Sequence, residues 1–265
     1  MRIPAFLLAI GLTSTGFAGA YLETTTGDPA TKQPRQVNKM WFDGGRMRTE
    51  NGERGEGAVA IFKDQAMYVL DPANKSYRKI DKATVDQMAA KLAEARKQMQ
   101  AAMANMPPER RAMMEKMMGQ LGGAANDGAK RTLKKTSRKE TVAGIECTVW
   151  EASVGGEKVE ELCAAPAASV TGGAEMMKTM REVGEMLKGF TKSFGAGSQI
   201  DGNWRDMETL NGVPVLTRDF SGGKVTSETR LAVARKESIP ADRFEVPAGY
   251  TEKKISFGPG SGEDE

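Results

Sequence analysis

Histidine is absent from this chain of 265 residues, and cysteine occurs only twice. Without histidine, the sequence lacks the commonest general base, the Ser-His and Cys-His nucleophile pairs, and the commonest metal ligand. It also contains no nucleophile elbow, no phosphate-binding loop and no paired-carboxylate motif. These absences predict a protein that is not an enzyme and that uses no cofactor.

Long apolar runs are also missing, because the apolar stretch near the N terminus covers only residues 4–12. A membrane-spanning helix needs about 20 apolar residues. The stretch follows Arg2 and precedes the small residues Ala18-Gly19-Ala20, a pattern typical of a secretory signal peptide that is cut after Ala20. No cysteine follows the cut, so a lipid anchor there is not expected. The sequence therefore predicts removal of residues 1–20 and a soluble periplasmic protein.

An excess of one charge is missing too, since the formal net charge is only +3. A nearly neutral exported chain is a poor partner for nucleic acid. One basic segment, Lys130 to Lys139, stands out locally. It could contact anionic headgroups or an acidic partner, or it could be the solvated side of a strand.

The two cysteines, Cys147 and Cys163, predict one disulfide, because exported chains with an even number of cysteines commonly pair them. They lie in strand candidates 146–152 and 158–163. A three-residue loop, Val154-Gly155-Gly156, would place the cysteines directly opposite each other, whereas a two-residue loop would offset them by one residue. We therefore expect the three-residue loop.

Further strand candidates, separated by turn residues, fill residues 21–80, and Asp43-Gly44-Gly45 marks a hairpin among them. Strand patterns return after residue 131 and again near the C terminus. There, Trp204–Leu210 is predicted to be a strand and Ile239–Tyr250 to be extended.

Helical periodicity appears in two insertions, at about 84–121 and 174–194. Thr84 and Gln87 form a capping box at the start of the first insertion. Pro107-Pro108 divides that insertion into two helices, the second of which runs from about residue 108 to residue 121.

This order of elements predicts an α+β fold, in which a curved antiparallel sheet forms a half-open barrel with the helices packed on one face. A single domain would cover residues 21–255, and the acidic, glycine-rich residues 256–265 would form a disordered tail. A curved sheet with an apolar concave face is a natural binding cleft.

Five segments follow one another in a characteristic order: FDGGRMRTE (42–50), AIFKDQAMYVLDPANKSYRKID (60–81), VAGIECTVWE (142–151), NGVPV (211–215) and RFEVPAGY (243–250). They resemble the uncharacterised exported proteins of the domain-of-unknown-function 4412 type. That group is similar in architecture to the periplasmic lipoprotein carriers of the LolA/LolB type, a half-open antiparallel barrel closed by helices. The resemblance implies this fold and no established active site.

Seventeen methionines are present, and they cluster on the predicted helices. One interpretation is a soft-metal site, because thioethers bind Cu(I). Its candidate ligands are Met113, Met114, Met117, Met118, Met176, Met177 and Met180. The other interpretations are an adaptable apolar lining for a ligand and ordinary core packing.

The leading hypothesis is a non-enzymatic periplasmic binding or carrier protein for an apolar ligand, namely a lipid, a lipoprotein or an apolar protein segment. One alternative is a copper-binding protein that uses the methionines. Another is a structural or envelope-stress interaction protein.

Overall fold

The computed structural model describes residues 19–31, 34–52, 57–104, 106–107, 109–110, 131–193 and 206–255. The strands are β1 (Gly19–Gly27), β2 (Pro34–Asp43), β3 (Arg46–Gly52), β4 (Val59–Lys63), β5 (Ala66–Asp71), β6 (Ser76–Asp81), β7 (Arg131–Val142), β8 (Ile145–Val154), β9 (Glu157–Ala165), β10 (Val213–Ser221), β11 (Lys224–Glu237) and β12 (Thr251–Glu252). The helices are α1 (Lys82–Ala104) and α2 (Gly173–Ser193), and two short 3-10 helices span Ala167–Ser169 and Ala241–Phe244.

All twelve strands form one sheet in the order β12-β6-β5-β4-β3-β2-β1-β11-β10-β9-β8-β7. Neighbouring strands are antiparallel, except that β12 lies parallel to β6. The sheet is curved and does not close into a barrel. The predicted α+β fold with a half-open antiparallel sheet is therefore confirmed.

The predicted hairpin at Asp43-Gly44-Gly45 is confirmed, with a two-residue turn between β2 and β3. Asp43 pairs with Arg46, and the intervening Gly44 and Gly45 have φ angles of 57° and 78°. This turn type matches the right-handed twist of the strands but needs a positive φ at both positions. Glycine adopts such angles without a steric penalty.

The hairpin between β8 and β9 differs from its prediction, because its loop has two residues rather than three. Val154 pairs with Glu157, and Gly155 and Gly156 form the turn with φ angles of 60° and 86°. Two consecutive glycines favour this tight turn over a three-residue loop. The predicted loop is therefore wrong.

A β-bulge in β9 restores the side-chain alternation that the shorter loop would have disturbed. Val159 is the extra residue, and beyond it Cys163 lies opposite Val149, two positions from Cys147. An offset of two residues keeps both cysteines on the same face of the sheet. They form the predicted disulfide, with Cα atoms 5.3 Å apart, but they pair diagonally and not directly opposite each other.

Helix α1 begins two residues before the predicted capping box, and its cap is Asp81. The Asp81 carboxylate accepts hydrogen bonds from the backbone N–H and the hydroxyl of Thr84, both at 2.9 Å. These bonds, the backbone one first, lower the pKa of Asp81 to about 2. Thr84 therefore donates to the cap and does not provide it.

Replacing Asp81 by alanine is expected to lower the free energy of unfolding by about 1 kcal/mol, because one N-cap is lost. Since folding lowers the pKa of Asp81 from 3.8 to about 2, its stabilising effect is present above pH 3.8 and is lost as the pH falls through 2. Urea unfolding at pH 7 and at lower pH measures this difference. The matched control is Asp86→Ala, which removes an exposed carboxylate that pairs with Lys82. This variant should lose much less stability. Equal losses of stability in the two variants would contradict the assignment of Asp81 as the N-cap.

Helix α2 confirms the predicted helix at 174–194 to within one residue at each end. Helix α1 confirms the first part of the insertion at 84–121. The second helix predicted there lies almost entirely outside the described residues, and so do residues 1–18 and 256–265. The signal peptide and the disordered tail therefore stay predictions. Gly19 and Ala20, which precede the predicted cut, lie in β1.

Two predictions near the C terminus are wrong. Residues 206–210 form a helical turn, not the end of a strand, and the Leu210 side chain is buried against β8 and β9. The segment Ile239–Tyr250, predicted to be extended, contains the 3-10 helix Ala241–Phe244, which buries Phe244 completely. In both places tertiary packing of one apolar side chain overrides the local strand preference.

None of the helices in the described part of the chain has the length and hydropathy of a membrane span.

Candidate functional site

Helix α2 lies on one apolar face of the sheet and packs against α1. Buried side chains from both halves of the sheet form this face: Ala20, Leu22, Phe42, Phe62, Cys147, Cys163, Val213, Val215 and Leu231. Val183 and Met186 of α2 are buried against them. The helix therefore covers the apolar face on which the sequence analysis places a binding cleft.

Methionine is unusually frequent between α2 and the sheet. We call the following residues the methionine interface: Met176, Met177, Met180 and Met186 from α2, with Met40, Met47 and Met67 from the strands. Met47, Met177 and Met186 are buried, and the other four are partly buried against the same cluster. A flexible, polarisable thioether side chain repacks more easily than leucine or phenylalanine.

The structure describes three of the seven candidate copper ligands. Met177 is buried in the core, and Met176 and Met180 pack against it. Met113, Met114, Met117 and Met118 lie outside the described residues. Within the described ranges, no group of three or more cysteine or carboxylate side chains is arranged to hold a metal ion.

A polar group that sequence reasoning missed lies on α2. Thr179 is completely buried, and its hydroxyl has no hydrogen-bond partner among the described residues. An unbonded buried hydroxyl typically costs about 1–3 kcal/mol. No sequence signal distinguishes this threonine, because its environment is created by the packing of α2.

Replacing Thr179 by valine is expected to raise the free energy of unfolding by about 1 kcal/mol, because the variant removes an unbonded buried hydroxyl and keeps the shape of the side chain. Chemical denaturation of the two proteins measures the gain. Thr179→Ser is the control, since it keeps the hydroxyl and removes the methyl group. A valine variant less stable than the serine variant would mean that the hydroxyl has a partner in the folded protein.

The N-terminal part of α2 is held to the turn between β2 and β3. The Glu175 carboxylate accepts a hydrogen bond of 2.8 Å from the backbone N–H of Gly45. A second carboxylate, that of Glu182, lies beside the same glycine. We call the bond between Glu175 and Gly45 the α2 latch. It is a single bond to a charged acceptor, and such bonds contribute about 1.5–3 kcal/mol.

The opposite face of the sheet is partly covered by the C-terminal segment. The C-terminal segment 238–252 crosses from β11 to β6 over an aromatic cluster that contains Tyr21, Trp41 and Phe244. The Arg243 guanidinium stacks 4.7 Å from the Trp41 ring centre, and Arg235 stacks 4.0 Å from that of Tyr21. Burial, together with the hydrogen bond to Glu23, raises the pKa of Tyr21. Trp41 is buried in this cluster.

A cluster of charged side chains adjoins the disulfide. Arg218 donates two hydrogen bonds of 2.8 Å to the Glu140 carboxylate and another of 3.0 Å to Glu228. Glu161, only 5% exposed, accepts hydrogen bonds from Arg218 and Lys158 and pairs with Arg138 at 2.9 Å. The hydrogen bonds from Arg218 lower the pKa of Glu140, with burial opposing them.

A second charged cluster joins the start of β7 to the helical turn at 206–210. Arg131 donates a hydrogen bond of 2.6 Å to Asp206 and pairs with Glu160. Burial raises the pKa of Glu160, although Arg131 opposes the effect. All the carboxylates in both clusters have cationic partners, which is how buried charges are commonly compensated in proteins.

Two surface cavities, of about 420 and 390 Å³, lie beside the sheet, and none of the seven residues of the methionine interface lines them. The larger lies beside Thr25, Asp28 and Arg230. The smaller borders the helix-bearing face, because Ile145 and Leu231 line it and also belong to the apolar cluster beneath α2.

The model of one protein family, described as Domain of unknown function (DUF4412), matches residues 81–250. No curated protein sequence matches the chain. The match extends from the last residue of β6 to the C-terminal segment, so it includes both helices and the disulfide. Strands β1 to β5 precede it but belong to the same sheet.

Several solved structures are similar in outline. An uncharacterized conserved protein from Thermus thermophilus has a TM-score of 0.42 and 6% identity, with 90% of this chain and 91% of that chain covered. MucB in the Pseudomonas aeruginosa MucA/MucB complex has a TM-score of 0.38 and 9% identity, with 88% and 56% covered. The LolA superfamily protein NE2245 from Nitrosomonas europaea has a TM-score of 0.26 and 8% identity, with 86% and 89% covered.

Proposed function

The chain belongs to the family described as Domain of unknown function (DUF4412), and we propose that this member is a non-enzymatic binding protein of the periplasm. Its ligand is apolar, either an acyl chain or an apolar segment of another protein. The ligand binds on the helix-bearing face of the sheet, where it replaces side chains of α2. The observation that supports this most is the methionine interface.

The methionine interface favours a replaceable contact over a rigid core. Four methionines of α2 and three methionines of the sheet belong to, or pack against, one apolar cluster, and methionine surfaces accommodate different apolar partners by repacking. The unbonded hydroxyl of Thr179 lies on the same helix. It could donate a hydrogen bond to a carboxyl or ester oxygen of a bound acyl chain.

The α2 latch gives this proposal a mechanism that can be tested. Helix α2 has to move before a ligand enters, and the bond from the Gly45 N–H to Glu175 opposes that movement. Removing the acceptor with Glu175→Ala should raise the population with α2 displaced at least about tenfold, because a bond to a charged acceptor contributes about 1.5–3 kcal/mol. Glu175→Gln keeps an oxygen acceptor and serves as the matched control.

Uptake of a fluorescent fatty acid, such as cis-parinaric acid, by the disulfide-bonded protein measures both effects. We expect saturable uptake by the unchanged protein and faster uptake by Glu175→Ala than by Glu175→Gln. Mass spectrometry of lipids that co-purify with the folded protein is the parallel test. Protein that is empty on purification and takes up no fatty acid would contradict the proposal.

The copper hypothesis is tested on the same preparation. Titration with Cu(I) under anaerobic reducing conditions is expected to show no binding tighter than micromolar, since no histidine or free cysteine joins the methionines. Tight stoichiometric binding would favour the metal site over the lipid site.

A further inference from the structure

Strand β7 forms one edge of the sheet, and this edge is long. It has twelve residues and pairs on one side only, with β8, in the described part of the chain. At the other end of the sheet, β12 and α1 cover parts of β6. An edge strand offers unpaired N–H and C=O groups to any extended chain that can approach it.

Among the described residues, none pairs with the outer edge of the first half of β7. Between Lys135 and Lys139 a bulge interrupts the ladder, and the Arg138 N–H already bonds to the Thr136 hydroxyl. Bulges of this kind prevent pairing at an edge. Residues 131–135 precede the bulge and keep regular pairing with β8.

The side chains of this half favour one kind of partner. Lys134 and Lys135 are exposed, and on one face Leu133 and Trp150 form a half-buried apolar patch. The Lys135 ammonium lies 5.7 Å from the Trp150 ring centre. A strand added here would meet positive charge along the edge and an apolar surface at alternate positions.

We propose that the edge at residues 131–135 binds an extended acidic segment of a partner protein, which adds to the sheet as a further strand. Main-chain hydrogen bonds would provide affinity, and the two lysines would select acidic residues that alternate with apolar ones. A second copy of this chain is excluded by the same lysines, because two such edges would bring like charges together. This site is separate from the α2 face and does not depend on the proposed function.

The probe is a short labelled peptide in which glutamate alternates with valine and threonine, used with the full disulfide-bonded protein. Fluorescence anisotropy should show saturable binding, and amide signals of residues 131–135 should shift in NMR spectra. Lys134→Glu with Lys135→Glu should weaken binding at least about tenfold, because attraction becomes repulsion. The matched control, Lys224→Glu with Lys236→Glu, makes the same change of charge on β11 and should bind as the unchanged protein does.

Two further arms use the unchanged protein, so they do not depend on whether a variant folds. A peptide of the same sequence with alternate amides N-methylated keeps its charge but cannot complete the main-chain ladder, and it should not bind. Equal binding of the methylated peptide would overturn the proposal, since charge alone would then explain the affinity. Binding to vesicles that contain phosphatidylglycerol, lost in the Lys134/Lys135 variant, with no peptide binding, would overturn it in favour of a membrane surface.

Discussion

Replacing Cys147 and Cys163 together by alanine is expected to lower the free energy of unfolding by about 3 kcal/mol. The disulfide closes a loop with a sequence separation of 16, and a loop of this size reduces the freedom of the unfolded chain by about that amount. The effect is large because both cysteines are 2% exposed and belong to the cluster beneath α2. Urea unfolding of the oxidised unchanged protein and of the variant, which has no cysteine, measures the difference.

Reduction of the unchanged protein separates the cross-link from the packing of the cysteines. If the loop constraint dominates, the reduced protein and the double alanine variant should unfold at similar urea concentrations. If the variant is far less stable than the reduced protein, lost packing dominates. Two free thiols in denatured, unreduced protein would show that the bond does not form.

Replacing Arg218 by methionine is expected to lower the free energy of unfolding by about 2 kcal/mol at pH 7. The change leaves Glu140 without its bidentate partner and removes one of the cations around the buried Glu161. Breaking a fully buried pair by removing one partner typically costs about 3–5 kcal/mol. We expect a smaller loss, because the Arg218 and Glu140 side chains are partly buried and Glu161 keeps Arg138 and Lys158.

The pH dependence distinguishes this electrostatic effect from a loss of packing. Arg218 holds the pKa of Glu140 below its ordinary value of 4.5, so the pair stabilises the protein above pH 4.5 and loses this effect as the pH falls through the lowered pKa. The deficit of Arg218→Met should therefore shrink in acid. Arg230→Met is the matched control, because Arg230 is 48% exposed and pairs with Glu228, which also binds Arg218, and a pair with an exposed partner contributes about 0–1 kcal/mol. A deficit that does not change with pH would assign the loss to packing.

Local sequence determined the hairpins and their turns. The predicted turn at Gly44-Gly45 is confirmed because consecutive glycines in a tight turn have few alternatives. The turn at Gly155-Gly156 also consists of two consecutive glycines. The prediction of a three-residue loop there was wrong because it was chosen to place the two cysteines opposite each other and not from the geometry of the turn. The bulge at Val159 then aligned the cysteines on one face, and nothing in the local sequence marks that residue.

The candidate site was only half predictable. The methionine stripe of α2 could be read from its period, and the expected apolar face beneath it exists. Three features of the site depend on the approach of distant segments. Helix α2 covers this face, Glu175 binds the Gly45 N–H, and Thr179 is buried with no hydrogen-bond partner among the described residues. The sequence analysis assigned the N-cap of α1 to Thr84 and not to Asp81, because both residue types are good N-caps. The helix begins directly after β6, which ends at Asp81, and so Asp81 is the cap.

The sequence by itself determined the family, the strand-rich α+β class, the helix periods and the existence of one disulfide. These properties follow from short-range patterns: side-chain alternation, turn residues and the pairing of two cysteines. Only the tertiary structure decided the strand order, the positions of α2 and the C-terminal segment on the two faces of the sheet, and the structures of residues 206–210 and 241–244. Each of these is set by burial against residues far away in the chain, and burial outweighs the small local preferences of the backbone.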